Sequence, residues 1–273
     1  MTDHVAALYD RHPISAQQVL DKVRAARGSL EGLEAQHLFP YDQDHYGGLA
    51  ANDALAERAR LNPDSLALDV CAGLAGPARY QARCYGSRMV ALDFHAGRAV
   101  GAALLNRMVG LDGQVSVVRG DAQALPFAAA TFDAVLSQEA FLHVPDKSAL
   151  LNSCRRVLKR GGRLAFSDWI AGRGLSDAER DLMWRGIAAQ TLRTVEQYRV
   201  LLRDAGFAHV ETENLSAEWV PILQERLAMY EGLRQDAIRA TGQDPHRDYV
   251  AFYTDFVRLV ESARLGGVRV TAV

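Results

Sequence analysis

The stretch LALDVCAGLAGPAR, residues 66–79, contains the features that decide the fold. Its apolar run LALDV is typical of a buried parallel strand, and a series of small residues follows it. A helical pattern then begins at Gly76. A strand that passes through a loop of small residues into a helix is the unit that cradles nucleotide ligands in α/β folds. The stretch therefore predicts a ligand-binding loop in a doubly wound sheet.

Short apolar runs and helical patterns alternate along the rest of the chain. We predict strands at 66–70, 88–93, 114–121, 132–138, 163–168, 209–215 and 267–273. We expect the paired glycines Gly161 and Gly162 to stop the helix at 146–159 and to turn the chain into the fifth strand. This alternation is typical of an α/β protein with a mostly parallel sheet.

Helices also precede and interrupt the alternating region. A helix is predicted at 14–27, with Ser15 as its cap and Gly28 as its stop, and Thr194 is predicted to cap another. Further helices are expected at 49–61, 175–190, 217–240 and 246–262. We interpret the chain as one domain, in which residues 1–60 form a lid and residues 61–170 form the core. Residues 171–273 then supply an insertion, a substrate wall and the last strands.

Composition narrows the classes of partner. The chain has 273 residues, a net charge of -2 and 49% hydrophobic residues, so we expect a buried core and no general attraction to nucleic acid or anionic membranes. Small molecules are the favoured partners, and the oligomeric state stays open. Three cysteines without C-x-x-C spacing, and no apolar signal segment, predict a cytoplasmic protein with no metal site.

Polar residues follow several of the predicted strands at one edge of the sheet. Asp93 lies 20 residues beyond Gly73, the separation at which an acid binds ribose hydroxyls in dinucleotide sites. Asp121 ends the third predicted strand, where a carboxylate can accept a hydrogen bond from the exocyclic amine of adenine. The fourth strand ends in Ser137, Gln138 and Glu139. We therefore expect an adenosine-type ligand at this edge.

These segments together resemble a known family. DVCAGLAGPARY, ALDF, RGDAQALPF, FDAVLSQEAFLHVPDK and RVLKRGGRLAFSD resemble, in order and spacing, the motifs of class I S-adenosylmethionine-dependent methyltransferases. The combination of DQDHYGG, GPARY and SQEAFLHVPDK is most similar to the sarcosine and dimethylglycine N-methyltransferase branch. The resemblance implies S-adenosylmethionine as cofactor and a Rossmann-like, seven-stranded sheet with a helical lid and an insertion after strand five.

The resemblance also implies roles for individual residues. It places Asp69, Gly73 and Gly76 around the methionine part of the cofactor, Asp93 on the ribose, and Gln138 near the sulfonium. The cofactor-binding set that it implies is Tyr41, Gln43, Tyr46, Asp69, Cys71, Ala72, Gly73, Gly76, Asp93, Phe94, Asp121, Ala122 and Gln138, with the DQDHYGG segment closing over the ligand. Cys71 and Ala75 replace customary glycines, and we expect the loop to bind the cofactor on the condition that φ stays negative at these two positions.

Two histidines are candidates for proton transfer. His143 follows the fourth strand, and His45 lies in the lid segment. A neutral amine needs no base before it attacks a methyl group, whereas a hydroxyl or carbon acid does. We expect an aromatic wall of Trp169, Trp184, Tyr198 and Trp219 to surround an uncharged or cationic acceptor. The leading hypothesis is therefore methylation of a small amine or amino-acid-like metabolite.

Other functions remain as alternatives. One is an O- or C-methyltransferase with His143 as general base, and another is a non-catalytic S-adenosylmethionine-binding protein. A nicotinamide dehydrogenase is disfavoured because the chain lacks both G-x-G-x-x-G and a Tyr-x-x-x-Lys pair. A nucleic-acid methyltransferase is disfavoured by the net charge and by the absence of an N-P-P-Y-like tetrapeptide.

Overall fold

A computed structural model describes residues 3–11 and 14–273, and its strands form one mixed sheet. The strands are β1 Leu66–Val70, β2 Arg88–Asp93, β3 Val115–Arg119, β4 Phe132–Gln138, β5 Leu158–Ala171, β6 Val210–Asn214 and β7 Leu265–Ala272. Their order is β3-β2-β1-β4-β5-β7-β6. The first five strands pair in parallel, and β7 runs antiparallel to both β5 and β6. The strand order reverses between β1 and β4, where α/β folds bind their ligands.

The helices agree closely with the predicted pattern. They are α1 Asp3–Arg11, α2 Ala16–Arg27, α3 Ala35–Leu38, α4 Gly48–Ala59, α5 Gly76–Tyr85, α6 Ala96–Met108, α7 Lys147–Val157, α8 Asp177–Ile187, α9 Val195–Asp204, α10 Ser216–Thr241 and α11 Arg247–Glu261. Ser15 accepts a hydrogen bond from the Gln18 amide at the start of α2, and Thr194 caps α9 in a reciprocal capping box. These predicted caps are confirmed.

The paired glycines behave differently from the prediction. Helix α7 ends at Val157, and β5 begins at Leu158, so Gly161 and Gly162 lie inside the strand. The register between β4 and β5 shifts there, because Phe132 pairs with Leu158 and Ala134 pairs with Arg163. The predicted helix stop is therefore wrong, and the glycines instead accommodate an irregularity in the ladder.

Helices cover both faces of the sheet. Helices α4, α5 and α6 pack on one face, around residues such as Ala67 and Leu136. Helices α7 and α9 pack on the other, around Leu68 and Phe166. A further apolar cluster joins α8, α10 and α11 to the carboxyl half of β5, and its aromatic residues include Trp169, Trp219 and Phe256. Each fully buried aliphatic or aromatic side chain contributes about 1.5–3 kcal/mol, so these layers fix the sheet edge that carries the site.

The amino-terminal helices lie near the first part of the sheet. Val19, Leu20 and Val23 of α2 are buried with Leu74 and Leu105.

None of the helices in the described ranges is both long and apolar enough to cross a membrane. Within the same ranges, no group of three or more His, Cys, Asp and Glu side chains is arranged to hold a metal ion.

Candidate active site

A cavity lies beside the carboxyl ends of β1, β2 and β4, at the reversal of strand order. The core supplies most of its wall, namely Asp69, Cys71, Ala72, Gly73, Leu74, Pro77, Asp93, Phe94, His95, Arg98, Gln138, Glu139, Ala140 and His143. Helix α1 adds Val5, Ala6 and Tyr9, and the segment between α3 and α4 adds Asp42, Asp44 and His45. The wall therefore combines the core with two amino-terminal segments.

The loop after β1 is strained where the chain departs from glycine. Cys71 and Ala75 both have a φ of 60°, in the left-handed region, and Gly73 has a φ of 56°. The expected negative φ at Cys71 and Ala75 is therefore wrong. A left-handed conformation costs a residue with a Cβ about 1–2 kcal/mol, and it persists because the neighbouring packing holds it. The backbone of this loop therefore has the left-handed conformation that is usual for glycine, although Cys71 and Ala75 carry a Cβ.

Asp93 joins this loop to the loop after β2. Its carboxylate oxygens accept hydrogen bonds from the Gly73 amide and the His95 amide, each at 2.8 Å. Burial raises the pKa of Asp93, and these two amides act in the opposite direction. Each carboxylate oxygen keeps a second lone pair. Asp93 thus fixes two loops and can still accept a hydrogen bond from a ligand in the cavity.

Asp69 and Gln138 contribute buried polar atoms to the cavity wall. Oδ2 of Asp69 and both polar side-chain atoms of Gln138 have no hydrogen-bond partner among the residues that the structure describes. Burial, reinforced by the charge of Asp93, raises the pKa of Asp69 to about 8. Buried polar atoms in folded proteins nearly always have partners. These atoms lie on adjacent central strands and line the cavity, so they suit a ligand that carries both donors and acceptors.

Glu139 is a site residue to which the sequence assigned no role. It follows β4 with a φ of 43°, and its carboxylate accepts hydrogen bonds from the Tyr46 amide at 2.7 Å and from Ser167 Oγ at 2.6 Å. Burial raises the pKa of Glu139 to about 7. The sequence signal that could have identified Glu139 is its position next to Gln138, at the end of the fourth strand. Glu139 joins the lid segment to the sheet and offers a proton acceptor near neutral pH.

His143 has both ring nitrogens engaged. Its Nδ1 donates to the Ala188 carbonyl at 3.0 Å, so its Nε2 accepts from the Tyr9 hydroxyl at 2.9 Å. Burial lowers the pKa of His143 to about 4, so the ring is neutral at physiological pH. No local motif marked Tyr9, because its contact with His143 joins positions 134 residues apart. The lone pair on His143 Nε2 therefore already accepts the hydrogen bond from the Tyr9 hydroxyl.

A buried lysine fixes the turn that carries His143. Lys147 donates to the carbonyl of Phe141 and, at 3.0 Å, to that of Val144. Asp168 accepts from the Leu142 amide at 3.1 Å, within the same turn. Burial lowers the pKa of Lys147 to about 8 and raises that of Asp168 to about 6. Lys147 and Asp168 therefore position the imidazole from behind the cavity.

The lid segment reaches the cavity with different residues from those implied by the resemblance. Asp42, Asp44 and His45 line the cavity, whereas Tyr41, Gln43 and Tyr46 do not. Asp42 forms a fully buried ion pair with Arg79 at 3.0 Å, and Asp44 pairs with Arg98 at 3.1 Å. The ring nitrogens of His45 face two acceptors, Gln43 Oε1 at 3.0 Å and the Tyr46 carbonyl at 3.2 Å. Burial lowers the pKa of His45.

Three other residues that were expected to bind the cofactor do not line the cavity. Asp121 caps the short turn at Ala122–Ala124 by accepting from the Gln123 amide, and neither Asp121 nor Ala122 lines the cavity. Gly76 also lies outside it, and its packing explains the residue: an added Cβ would stand 2.0 Å from the Asp42 carbonyl oxygen.

The predicted aromatic side chains of the substrate wall do not line this cavity. Trp169 and Trp219 are buried against each other and against Tyr46, and Tyr198 is buried with its hydroxyl on Asp168. Trp184 stacks on His4 with ring centroids 4.3 Å apart. None of these four side chains lines the cavity. Large aromatics here supply core area, which is their commoner role.

Comparison with known proteins gives the family. A family model described as a methyltransferase domain matches residues 68–166. A sarcosine/dimethylglycine N-methyltransferase from Halorhodospira halochloris is 32% identical over 188 residues, which cover 67% of each chain. Phosphoethanolamine N-methyltransferase 1 from Zea mays is 27% identical over 234 residues, or 86% of this chain and 46% of that protein.

A solved structure shows the same fold. Phosphoethanolamine N-methyltransferase 2 from Haemonchus contortus, in complex with S-adenosyl-L-methionine, has a TM-score of 0.78 at 20% identity. The match covers 98% of this chain and 59% of that one, so this chain spans about half the length of the phosphoethanolamine relatives. From the identity and coverage of the Halorhodospira relative, the chain belongs to the S-adenosylmethionine-dependent methyltransferases.

Proposed function

We propose that this chain transfers the methyl group of S-adenosylmethionine to the nitrogen of a small amine or amino-acid-like metabolite. The observation that carries the proposal is the charge on the cavity wall. Among the described lining residues, four aspartates and Glu139 are acidic. Asp42 and Asp44 are paired with Arg79 and Arg98, so the acidic groups outside an ion pair in the described part of the chain are Asp69, Asp93 and Glu139. When ionised, these three carboxyl groups stabilise a positively charged donor and attract an ammonium.

The cavity residues suit the cofactor. The unpartnered atoms of Asp69 and Gln138 would meet its amino and carboxyl groups or its sulfonium end, and Asp93 would accept from its ribose hydroxyls. Cys71, Ala72, Gly73 and Phe94 would pack beside it. Adenine recognition by Asp121 and Ala122 stays a prediction, as do lid contacts from Tyr41, Gln43 and Tyr46.

The protein's own groups have three tasks in such a reaction. S-adenosylmethionine, when bound, supplies a methyl carbon attached to a positively charged sulfur. Glu139, with a pKa of about 7, can take the proton that an ammonium must lose before its nitrogen attacks. Helix α1 and the segment at 41–47 exclude water, and the turn held by Lys147 orients His143 and, through it, Tyr9.

The test is a methyl-transfer assay with labelled S-adenosylmethionine. The acceptors would be sarcosine, dimethylglycine and phosphoethanolamine, which the relatives' names suggest, beside hydroxyl compounds of similar size. We expect label on nitrogen. Product carrying label only on oxygen or carbon would overturn the nitrogen assignment, and cofactor binding without transfer to any acceptor would favour a binding protein.

A histidine variant separates the acceptor classes. His143→Ala should lower turnover on an amine less than about tenfold, because an amine needs no imidazole base and His143 here accepts from Tyr9. Cofactor affinity, measured by calorimetry, serves as the control and should not change. Abolished turnover at saturating acceptor with intact cofactor binding would instead indicate general-base catalysis on a hydroxyl or carbon acceptor.

A further inference from the structure

A second hollow adjoins the cavity at Glu139. It lies between β5, β7 and the first turns of α4 and α10, and its wall includes Ser167, Arg269, Ala51 and Glu218. Glu139 lines both the cavity and this hollow. Glu218 is exposed, so the hollow reaches the surface there. With a volume of about 140 Å³ and with charged and hydroxyl groups on its wall, it has room for several water molecules.

The carboxylate of Glu139 is held by one donor from each of two elements. Its Oε2 accepts from the Tyr46 amide at 2.7 Å, and its Oε1 accepts from Ser167 Oγ at 2.6 Å. Ser167 lines the second hollow and does not line the cavity. A hydroxyl that donates one hydrogen bond still has lone pairs that can accept another. Ser167 therefore connects the Glu139 carboxylate with the second hollow.

Arg269 places a buried donor next to Ser167. The two residues are opposite each other in the β5–β7 ladder, so their Cβ atoms lie about 4.5–5.5 Å apart on one face of the sheet. Arg269 is 9% exposed, and its Nη1 donates to Glu213 at 2.8 Å. Its Nε is buried and has no hydrogen-bond partner among the residues that the structure describes. Because buried donors nearly always have a partner, in protein or in water, this N–H group marks a place for water beside Ser167.

The proposed reaction leaves a proton on Glu139 in each turnover. An acceptor that enters as an ammonium breaks one N–H bond, and the proton bonds to the Glu139 carboxylate. A C–N bond then forms to the methyl carbon as the C–S bond breaks, and the electron pair of that bond stays on sulfur. Glu139 must lose the proton before the next turnover. During the reaction its cavity side faces the bound ligands and the amino-terminal segments, so a route through the cavity is closed.

We propose that the second hollow is the route by which this proton leaves. The proton moves from Glu139 to Ser167 Oγ while the hydroxyl proton of Ser167 moves to water beside Arg269, and water carries it to the surface at Glu218. No electron changes hands, and solvent is the final acceptor of the proton. The inference rests on the proposed N-methyltransferase function. It makes Ser167 and Arg269 positioning residues for proton release.

Charged groups on several elements act on Glu139. Burial is the largest influence on its pKa, Asp168 raises that pKa further, and Arg226 lowers it. Glu218 and Arg269 share the second hollow with Glu139, and the cavity side carries His45, Asp69, Asp93, His143 and the pair of Asp44 with Arg98. A test of the route must leave these charges unchanged. Substitutions at Ser167 and Ala51 meet this condition, because both residues are neutral.

The experiment measures how fast Glu139 gains a proton while the cavity is occupied. Entry and exit use the same route, so a flash-released acid that lowers the pH from about 8 reports on it, because the pKa of Glu139 is about 7. The protein is saturated with S-adenosylhomocysteine, and the infrared band of the protonated carboxyl is identified by its loss in Glu139→Gln. Ser167→Ala should slow the rate by at least about tenfold, as loss of a positioned proton-transfer group does, and Ser167→Thr should restore it.

A second variant narrows the hollow itself. Ala51→Leu adds bulk at the wall and should slow the same rate, so the route is tested even if Ser167→Ala fails to fold. Ala217→Leu is the matched control, because Ala217 is exposed on α10 beside Glu218 and does not line the hollow. It should leave the rate unchanged. Wild-type rates in both Ser167→Ala and Ala51→Leu would overturn the proposal.

The infrared experiment needs no acceptor, so it separates the route from the proposed function. If amines are methylated, Ser167→Ala should lower kcat at least about tenfold for an amine that is protonated at pH 7, and should leave kcat within about twofold for a weakly basic amine that binds unprotonated. Slowed protonation without methylation of any amine would support the route while the proposed function failed. Equal loss of kcat for both amines would overturn the route, since it would mean that Ser167 acts on the fold of the site alone.

Discussion

Two segments cover the cavity from the amino-terminal side, and they are held in different ways. The segment at 41–47 is anchored through Asp42 to Arg79, and both side chains of this ion pair are fully buried. Helix α1 is held by polar contacts that include Tyr9 with His143, His4 with the Trp184 carbonyl, and Asp10 with His95. Asp10 is 69% exposed in its pair. The segment at 41–47 is thus anchored inside the core, whereas helix α1 packs against it.

The difference suggests how ligands exchange. Opening the segment at 41–47 would uncover the charge of Arg79 inside the protein, which is costly. Opening α1 would expose the buried Val5 side chain and would break hydrogen bonds that water can replace. We therefore interpret the segment at 41–47 as a fixed wall and α1 as the moving lid, whereas the sequence alone suggested one lid from residue 1 to residue 60.

The largest expected effect tests the fixed wall. Asp42→Asn leaves the Arg79 guanidinium buried without a counterion, so the free energy of unfolding should fall by about 3–5 kcal/mol. Urea unfolding measures this change. Asp21→Asn is the matched control, because it removes an exposed ion pair with Arg24 and should have little effect. Equal, small changes in both variants would show that the segment is not part of the core.

Hydrogen exchange tests the contrast directly. In the ligand-free protein, the Tyr46 amide, which donates to Glu139, should exchange as slowly as the amides of β1, and those of α1 should exchange faster. S-adenosylhomocysteine at a hundred times its Kd should slow α1 by up to about a hundredfold. Fast exchange at Tyr46 without ligand would reverse the roles of the two covers.

A smaller effect is expected from the contact between α1 and the site. Tyr9→Phe removes the hydroxyl that donates to His143 and keeps the aromatic ring, so kcat/KM should fall by about tenfold, the value of one hydrogen bond. The free energy of unfolding should stay within about 0.5 kcal/mol. Tyr249→Phe, at an exposed side chain of α11 outside the cavity, should leave both quantities unchanged. A large loss of stability in Tyr9→Phe would mean that α1 belongs to the core.

The smallest expected effect concerns Asp69, which lines the cavity beneath the segment at 41–47 and helix α1. The pKa of Asp69 is raised to about 8, so its carboxyl is mostly neutral at pH 7 and ionises as the pH rises. A cationic ligand prefers the ionised form. Cofactor affinity should therefore increase about fivefold from pH 7 to pH 8 and level off above, as a single titration requires. Calorimetry with wild type and Asp69→Asn isolates this contribution, and an identical pH dependence in both proteins would remove Asp69 from the binding of charge.

Local patterns predicted the elements well, and contacts distant in sequence explain the failures. Strands β1, β2 and β4 have the predicted bounds and helix α5 begins at the predicted Gly76, because apolar runs and breaks are local signals. The irregularity at Gly161 arises from pairing between β4 and β5, which no local rule reveals. The left-handed backbone at Cys71 and Ala75 is likewise imposed by tertiary packing.

The candidate site shows the same division. Asp93 and Gln138 were expected at the site because they end predicted strands, and Asp69 because its motif resembles that of the family. Glu139 and Tyr9 gain their roles from partners 93 and 134 residues away. The aromatic wall was misplaced because hydrophobic side chains give the same sequence signal in a core as in a pocket.

Cys71 gives the molecule a chemical reporter of its own opening. Its thiol lines the cavity beneath α1, and burial raises its pKa well above the usual value, so a closed lid keeps it unreactive. Cys84 is exposed and Cys154 is buried, which supplies a fast and a slow reference within the same chain. The rate at which an alkylating reagent labels Cys71, relative to these two, would count how often the lid opens without any engineered label.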